Sequence, residues 1–262
     1  DLMQRLQKGR KAGLTFAPEA GTQRLRDAIN KNLTEEDLHQ SLATAFSGGW
    51  NNVKLYFMLG LPTETDEDVL GIAEMANHVI HTWREHASNK ARGVRITVST
   101  SWFVPKPFTA FQWEAQITKE EYERRVRLLR EAITAKAVTY NWHDSDTSVL
   151  EAVLARGDRR LGRVLETAYR KGAKLDAWTE YFDIRRWEEA FEEGGLDMAF
   201  YANRERSEDE IMPWSMISCF VSDKYLWHQR ELAYQSTTTP DCRTQCSGCG
   251  ANCVEGGECY RG

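Results

Sequence analysis

Several features are scarce in this chain, and each absence narrows the field. None of the apolar runs among its 262 residues approaches the eighteen or so needed to span a bilayer. The opening Asp1-Leu-Met-Gln-Arg-Leu-Gln-Lys8 has no signal-peptide core. The expectation is a soluble, cytoplasmic protein with no membrane partner. Excess positive charge is also lacking. The formal net charge is -5, which argues against broad, non-specific attraction to nucleic acid, although a local site is compatible with it. One small basic group, Arg156, Arg159, Arg160 and Arg163, reads as a solvated helix face. No Ser-His-Asp arrangement, phosphate loop or paired-carboxylate motif stands out. The six histidines offer little: His78 and His81 stand at i and i+3 and could share a metal, but helix-surface imidazoles are commoner. Trp142-His143-Asp144 could orient an imidazole, with no nucleophile nearby.

Cysteine is nearly absent from the body and dense at the end. Five of the six cysteines fall in the last twenty-one residues, in Asp241-Cys-Arg-Thr-Gln-Cys-Ser-Gly-Cys-Gly-Ala-Asn-Cys253 and at Cys259. Cys242, Cys246, Cys249 and Cys253 stand among glycines where no core can form. In a reducing compartment such clustered thiols are ligands or redox centres rather than structural disulfides. Four thiolates complete a tetrahedral zinc site or hold an iron–sulfur cubane, and spacing alone does not separate the two. Gly248 and Gly250 allow the backbone to fold closely around a metal. Cys259 reads as an alternate ligand or a free thiol. Cys219, within Met216-Ile-Ser-Cys-Phe-Val221, reads as a small hydrophobe in the core.

The chain as a whole is 41% hydrophobic and 28% charged, which suits one sizeable domain with an appendage. Leu14 to Ala17, Val53 to Leu59 and Val94 to Val104 read as buried strands. The second is nearly continuous in apolar and aromatic residues, as expected of a parallel sheet covered by helices. Thr34-Glu-Glu-Asp37 and Thr65-Asp-Glu-Asp68 predict capped helix starts between them. The order strand, helix, strand, helix, strand implies right-handed crossovers and parallel pairing. A helix opening at Thr118-Lys-Glu-Glu121 is expected to reach about Val138. Further helices are expected at Thr147 to Arg156, Arg160 to Lys171, Ile184 to Glu193 and Asp223 to Tyr234.

Three segments carry a family resemblance. Phe16-Ala-Pro-Glu-Ala-Gly-Thr-Gln-Arg-Leu25 with Ile29-Asn-Lys31, then Val53-Lys-Leu-Tyr-Phe-Met-Leu-Gly-Leu-Pro-Thr-Glu-Thr65, then Phe103-Val-Pro-Lys-Pro-Phe-Thr-Ala-Phe-Gln-Trp113, resemble the fourth strand, the fifth strand with its following turn, and the sixth-strand exit of radical SAM enzymes. They are closest to the cobalamin-binding-domain-containing, MiaB-like group. The resemblance implies an α/β fold, the C-terminal portion of a partial (β/α)6 TIM-type barrel of parallel strands, followed by a mainly helical extension and a Cys-rich tail. The expected segments are residues 1–115 for the partial barrel, 116–235 for the helical extension and 236–262 for the metal-binding tail. A chain that opens on Asp1 and runs straight into a strand reads as a fragment entered partway through a domain. Its first partner would then be the remaining half of the same protein.

In the family a three-cysteine loop after strand one holds a [4Fe-4S] cluster, and S-adenosylmethionine (SAM) binds its open iron. Cys242, Cys246 and Cys249 share that spacing, but they follow the barrel segments instead of preceding them, so an additional cluster or a structural zinc is expected there. By resemblance, Glu19 helps to hold the polar part of SAM; equally, it reads as a helix N-terminal carboxylate. Gly60 and Pro62 stand where the family brings backbone close to the adenine, or form a simple strand-ending turn. The implied function is a fragment of an iron–sulfur enzyme that reductively cleaves SAM to a 5'-deoxyadenosyl radical. Its substrate, RNA or a small molecule, is not identified, and cobalamin is an implied cofactor of the full-length parent. The fragment alone is expected to be inactive, since the cluster loop is not among its residues. The alternatives are a non-catalytic zinc or iron–sulfur module that recruits a partner such as RNA, and a scaffold.

Overall fold

The computed structural model describes residues 13–251. These form two compact units. The first runs to Phe103 and takes up Glu120–His143 and Glu231–Thr239; the second takes Val104–Lys119, Asp144–Arg230 and the residues from Pro240.

The first unit is an α/β layer. Its elements are β1 (Leu14–Glu19), α1 (Gln23–Ala28), α2 (Glu35–Ser47), β2 (Asn52–Leu59), α3 (Asp66–His86), β3 (Arg95–Trp102), α4 (Lys119–Ala132) and β4 (Val138–Trp142). The sheet order is β1-β2-β3-β4, and every pair is parallel. Both helix starts read from the sequence form as expected. Thr34 N–H donates to the Asp37 carboxylate at 3.0 Å while Asp37 N–H donates back to Thr34 Oγ1 at 3.1 Å. Thr65 N–H donates to Asp68 at 2.8 Å. Such caps satisfy amides that the helix itself leaves open, for about 1 kcal/mol each.

Two features differ from the sequence expectation. The helix from Thr118 ends at Ala132, and Val138, expected as its last residue, opens a fourth strand that pairs with β3 from Ile96 to Thr100. In Val138-Thr-Tyr-Asn-Trp142 four of the five residues are β-branched or aromatic, which favours a strand, although charged helical sequence leads into it. The second difference is in the faces of the sheet. β2 alternates instead of being buried throughout: Val53, Leu55, Phe57 and Leu59 are buried, while Lys54 and Tyr56 are exposed. β3 follows suit, with Ile96, Val98, Thr100 and Trp102 buried. One face therefore forms a core with the buried residues of α2 and α3, such as Leu42, Phe46, Ile72 and Val79. The other presents Thr15, Lys54, Thr97 and Thr139 in one register row and Tyr56, Ser99 and Asn141 in the next.

The exit of β1 is locked to α3 by two glycines. A Cβ on Gly21 would lie 2.1 Å from the Asp68 carbonyl oxygen and 2.6 Å from Ile72 N; one on Gly71 would lie 2.9 Å from the Gly21 carbonyl oxygen. Only bare backbone fits at this crossing.

The second unit is mainly helical: α5 (Ser145–Arg156), α6 (Leu161–Arg170), α7 (Ile184–Glu193), α8 (Met198–Ala202) and α9 (Asp223–Tyr234), whose final turn belongs to the first unit. Leu150, Val153, Leu161, Val164, Trp187, Phe191 and Tyr201 build its main core. A second core joins Trp113, Met212, Trp214 and Leu226. Arg156 is not on a solvated face, as its sequence neighbours suggest. It is 0% exposed and donates to the backbone carbonyls of Glu114, Tyr201 and Arg204. No helix among the described residues is long and apolar enough to cross a membrane.

Gly21→Ala should therefore cost upwards of about 3 kcal/mol in chemical denaturation, since the obstacle is backbone that cannot step aside. Gly162→Ala in α6, where a Cβ meets nothing within 4 Å, should be neutral or stabilising by up to about 1 kcal/mol.

Candidate functional site

Ligands of parallel sheets bind at the carboxyl edge, where loops leave the strands. Glu19 ends β1 at that edge. Phe16 pairs with Leu55 and Glu19 with Phe57, so β1 carries one extra residue there. Pro18, which has no N–H to lose, sits in this bulge, as bulges permit. The bulge turns Glu19 into the left-handed region, at φ 69°, and its carboxylate pairs with Lys31 Nζ at 3.2 Å. α1 is capped instead by Thr22 and has no acidic residue in its first turn, so Glu19 does not act as that helix's terminal carboxylate. Gly60, at φ 86°, leaves β2 on the neighbouring strand, and its N–H donates to Glu64 Oε2 at 2.7 Å. Pro62 follows in the same turn, half-buried beside the buried Leu61. The structure thus brings Glu19, Gly60 and Pro62 to one edge of adjacent strands.

Charged pairs that the sequence reading did not single out pin this edge. Asp68 accepts from Thr22, Thr65 and Arg24. Against the upward push of burial, the hydrogen bonds from Thr22 and Thr65 hold its carboxyl below the usual range. Arg24 also donates to the Thr63 carbonyl at 3.0 Å. Glu64 is buried and paired with Arg125, which donates through Nε to Glu121 at 2.8 Å. Burial pushes the Glu64 carboxyl up to about 7, opposed by the Gly60 N–H and Arg125. Burial outweighs both, and the nearby Asp68 carboxylate pushes in the same upward direction. Beyond β3, Trp102 stacks on Tyr122 at 4.5 Å, and Thr100 shares a 2.9 Å hydrogen bond with the Tyr140 hydroxyl.

The histidines follow the plainer sequence reading, with His78 and His81 both exposed on α3. His78 meets His39 across two helices, Nε2 to Nδ1 at 3.2 Å, instead of pairing with His81. Asp144 caps α5, accepting from Thr147 N–H at 2.9 Å, and so does not orient His143. All four described cysteines, Cys219, Cys242, Cys246 and Cys249, lie in the second unit, so the described residues of the sheet unit hold no thiolate for a cluster.

The cysteine loop is an ordered turn. Asp241 accepts from Arg243 N–H through its side chain at 2.8 Å and from Thr244 N–H through its carbonyl at 2.8 Å, a turn that contains Cys242. The Cys249 carbonyl accepts from Ser222 N–H at 2.9 Å, just ahead of α9. Tyr225 of α9 has its phenol pushed up by burial and by the thiols of Cys249, Cys242 and Cys246. Gly248 and Gly250 have φ of 72° and 97°, as the backbone wrap read from the sequence requires. Among the described residues, no three His, Cys, Asp or Glu side chains are set together as a metal site. The donor chemistry of the loop is nonetheless that of a thiophilic metal. Cys253 and Cys259 lie outside the described residues.

An uncharacterized protein of Methanocaldococcus jannaschii, MJ0966, is 30% identical over 179 residues, which cover 65% of this chain. The chain spans 38% of that relative's length. No family model and no solved structure matches the chain.

Glu64 generates a pH prediction. Its folded pKa, about 7, exceeds the ordinary 4.5, so its contribution is fully present below 4.5 and is lost as pH rises through about 7. Unfolding free energies measured across that window should fall with pH more steeply for the wild type than for Glu64→Gln. Parallel profiles would remove the assignment.

Proposed function

We propose that this chain is the C-terminal portion of a radical SAM enzyme and that its four parallel strands are part of a (β/α)6 barrel wall. The observation that carries the reading is a parallel sheet in simple chain order with only one face buried. Doubly wound sheets reverse strand order at a switch point and cover both faces with helices. A sheet wound in one direction, with helices on one side and a polar row on the other, suits a barrel stave whose bare face looks inward. Of the segments that resemble the family, the fourth-strand segment begins within β1, the fifth-strand segment covers β2 and the sixth-strand exit follows directly on β3, and these three strands are neighbours in that order.

In this reading the carboxyl edge receives SAM. The Glu19 carboxylate, positioned by the Pro18 bulge and steadied by Lys31, accepts hydrogen bonds from the ligand's ammonium or hydroxyl groups. Gly60 and Pro62 present flat backbone to the adenine without a projecting side chain. Lys54, Tyr56, Ser99 and Asn141 line the inward face and help to exclude water. The iron–sulfur cluster and SAM, when bound, supply one-electron reductive cleavage; the protein binds, orients and shields. The three cluster cysteines and any cobalamin belong to the remainder of the parent, which is this chain's first partner. The cysteine loop holds a separate zinc ion or iron–sulfur cluster.

The full-length parent, reconstituted anaerobically with iron and sulfide and given dithionite and SAM, should release 5'-deoxyadenosine and methionine. Glu19→Ala should weaken SAM binding about tenfold, the loss of one charge-assisted hydrogen bond. Cluster-loaded protein that leaves SAM intact would overturn the proposal.

A further inference from the structure

We infer that Cys219 is the fourth thiolate of a closed metal site with Cys242, Cys246 and Cys249. The inference rests on the cysteine loop being a metal site and names a ligand for it from the body of the second unit.

The loop supplies three cysteines, Cys242, Cys246 and Cys249. Three thiolates leave a tetrahedral metal or a cubane iron with an open position; a fourth closes the site and makes it structural or electron-transferring instead of substrate-binding. The fold points to where that donor stands. Ser222 N–H holds the Cys249 carbonyl at 2.9 Å, and a Cβ on Gly250 would lie 3.3 Å from the Phe220 carbonyl oxygen and 3.7 Å from Ser222 N. Cys249 and Gly250 are thus laid along Phe220–Ser222, and Cys219 is the residue immediately before. The loop docks against the body beside the one described cysteine that it does not itself contain.

The surroundings of Cys219 do not suit a core hydrophobe. The residue is half-buried, and its neighbours Met216, Ile217 and Phe220 are 86%, 60% and 58% exposed. Its Sγ reaches only the Val221 carbonyl at 3.9 Å, a weak contact for a thiol. It lines a cavity of about 240 Å³ together with Ser218, Ser222 and Asp223. Little holds the side chain where it stands. Binding is then simple ligation: each thiol releases its proton to solvent, four metal–sulfur bonds form, and no electron is transferred. Ligands from two chain segments tie the loop to the segment that leads into α9, as two-part zinc sites do.

The test uses the whole chain, stripped of metal and titrated anaerobically with Co(II). The wild type should bind one Co(II) with the thiolate-to-metal absorption of four sulfurs. Cys219→Ser should lose about a quarter of that intensity and bind more than about a hundredfold more weakly, beyond the effect of losing an outer-shell partner. Cys219→His should keep tight binding with a shifted spectrum, which separates ligation from damage to the fold. Cys253→Ser and Cys259→Ser should match the wild type. If Cys253→Ser takes the loss and Cys219→Ser does not, the assignment of Cys219 is wrong while the metal site stands. If the wild type binds no Co(II), or Cys242→Ser binds as the wild type does, the metal reading itself fails and Cys219 falls with it.

Discussion

The first unit turns on the bare-backbone crossing of Gly21 and Gly71. It brings the loop leaving β1 into van der Waals contact with the first turns of α3, and Thr22 and Asp68 then bond across the same junction. Because α3 follows β2, this contact sets the exits of two adjacent strands against one another. Everything proposed for the carboxyl edge depends on that placement, including the bulge that re-aims Glu19 and the turn that holds Gly60. Close packing at a backbone junction has no slack to relax into, so the edge is built as one piece.

Much of this architecture could be read from the residues because it is local. A threonine followed three residues later by an aspartate marks a helix start through bonds between near neighbours, and Thr34 and Thr65 behave accordingly. The bounds of α7 and α9 follow from Gly194-Gly195 and the Ser236–Pro240 break for the same reason. β4 was hidden because its four strand-forming residues, Val138, Thr139, Tyr140 and Trp142, follow a long charged helix. The alternation of β2 was hidden because Tyr56 and Met58 count as apolar by type, although only their position in the pleat decides which face they occupy. Pairings that join residues far apart leave no mark on local pattern. Glu64 with Arg125, His39 with His78 and Arg156 with three carbonyls are visible only once the chain is folded.

The two candidate sites rest on different physics. At the sheet edge, fixed backbone and paired charges create a surface complementary to a polar ligand, and little needs to move. At the cysteine loop, hydrogen bonds to Asp241 and Ser222 shape the turn, but the sulfurs themselves are held by little. Metal ligation would supply the order that packing does not, which is the usual division of labour in small thiolate sites. Tyr225 links the loop to a regular helix, so order gained at the sulfurs is transmitted to α9.

Arg156 carries a consequence for how the helical unit is assembled. Its guanidinium is sealed from water, and three carbonyls contributed by residues 114, 201 and 204 replace its hydration shell. An ion stripped of solvent before those acceptors arrive would be severely penalised. A polypeptide cut between residues 156 and 201 would part the cation from two of its three acceptors, and the side chain would then be better off hydrated at the surface than packed inside.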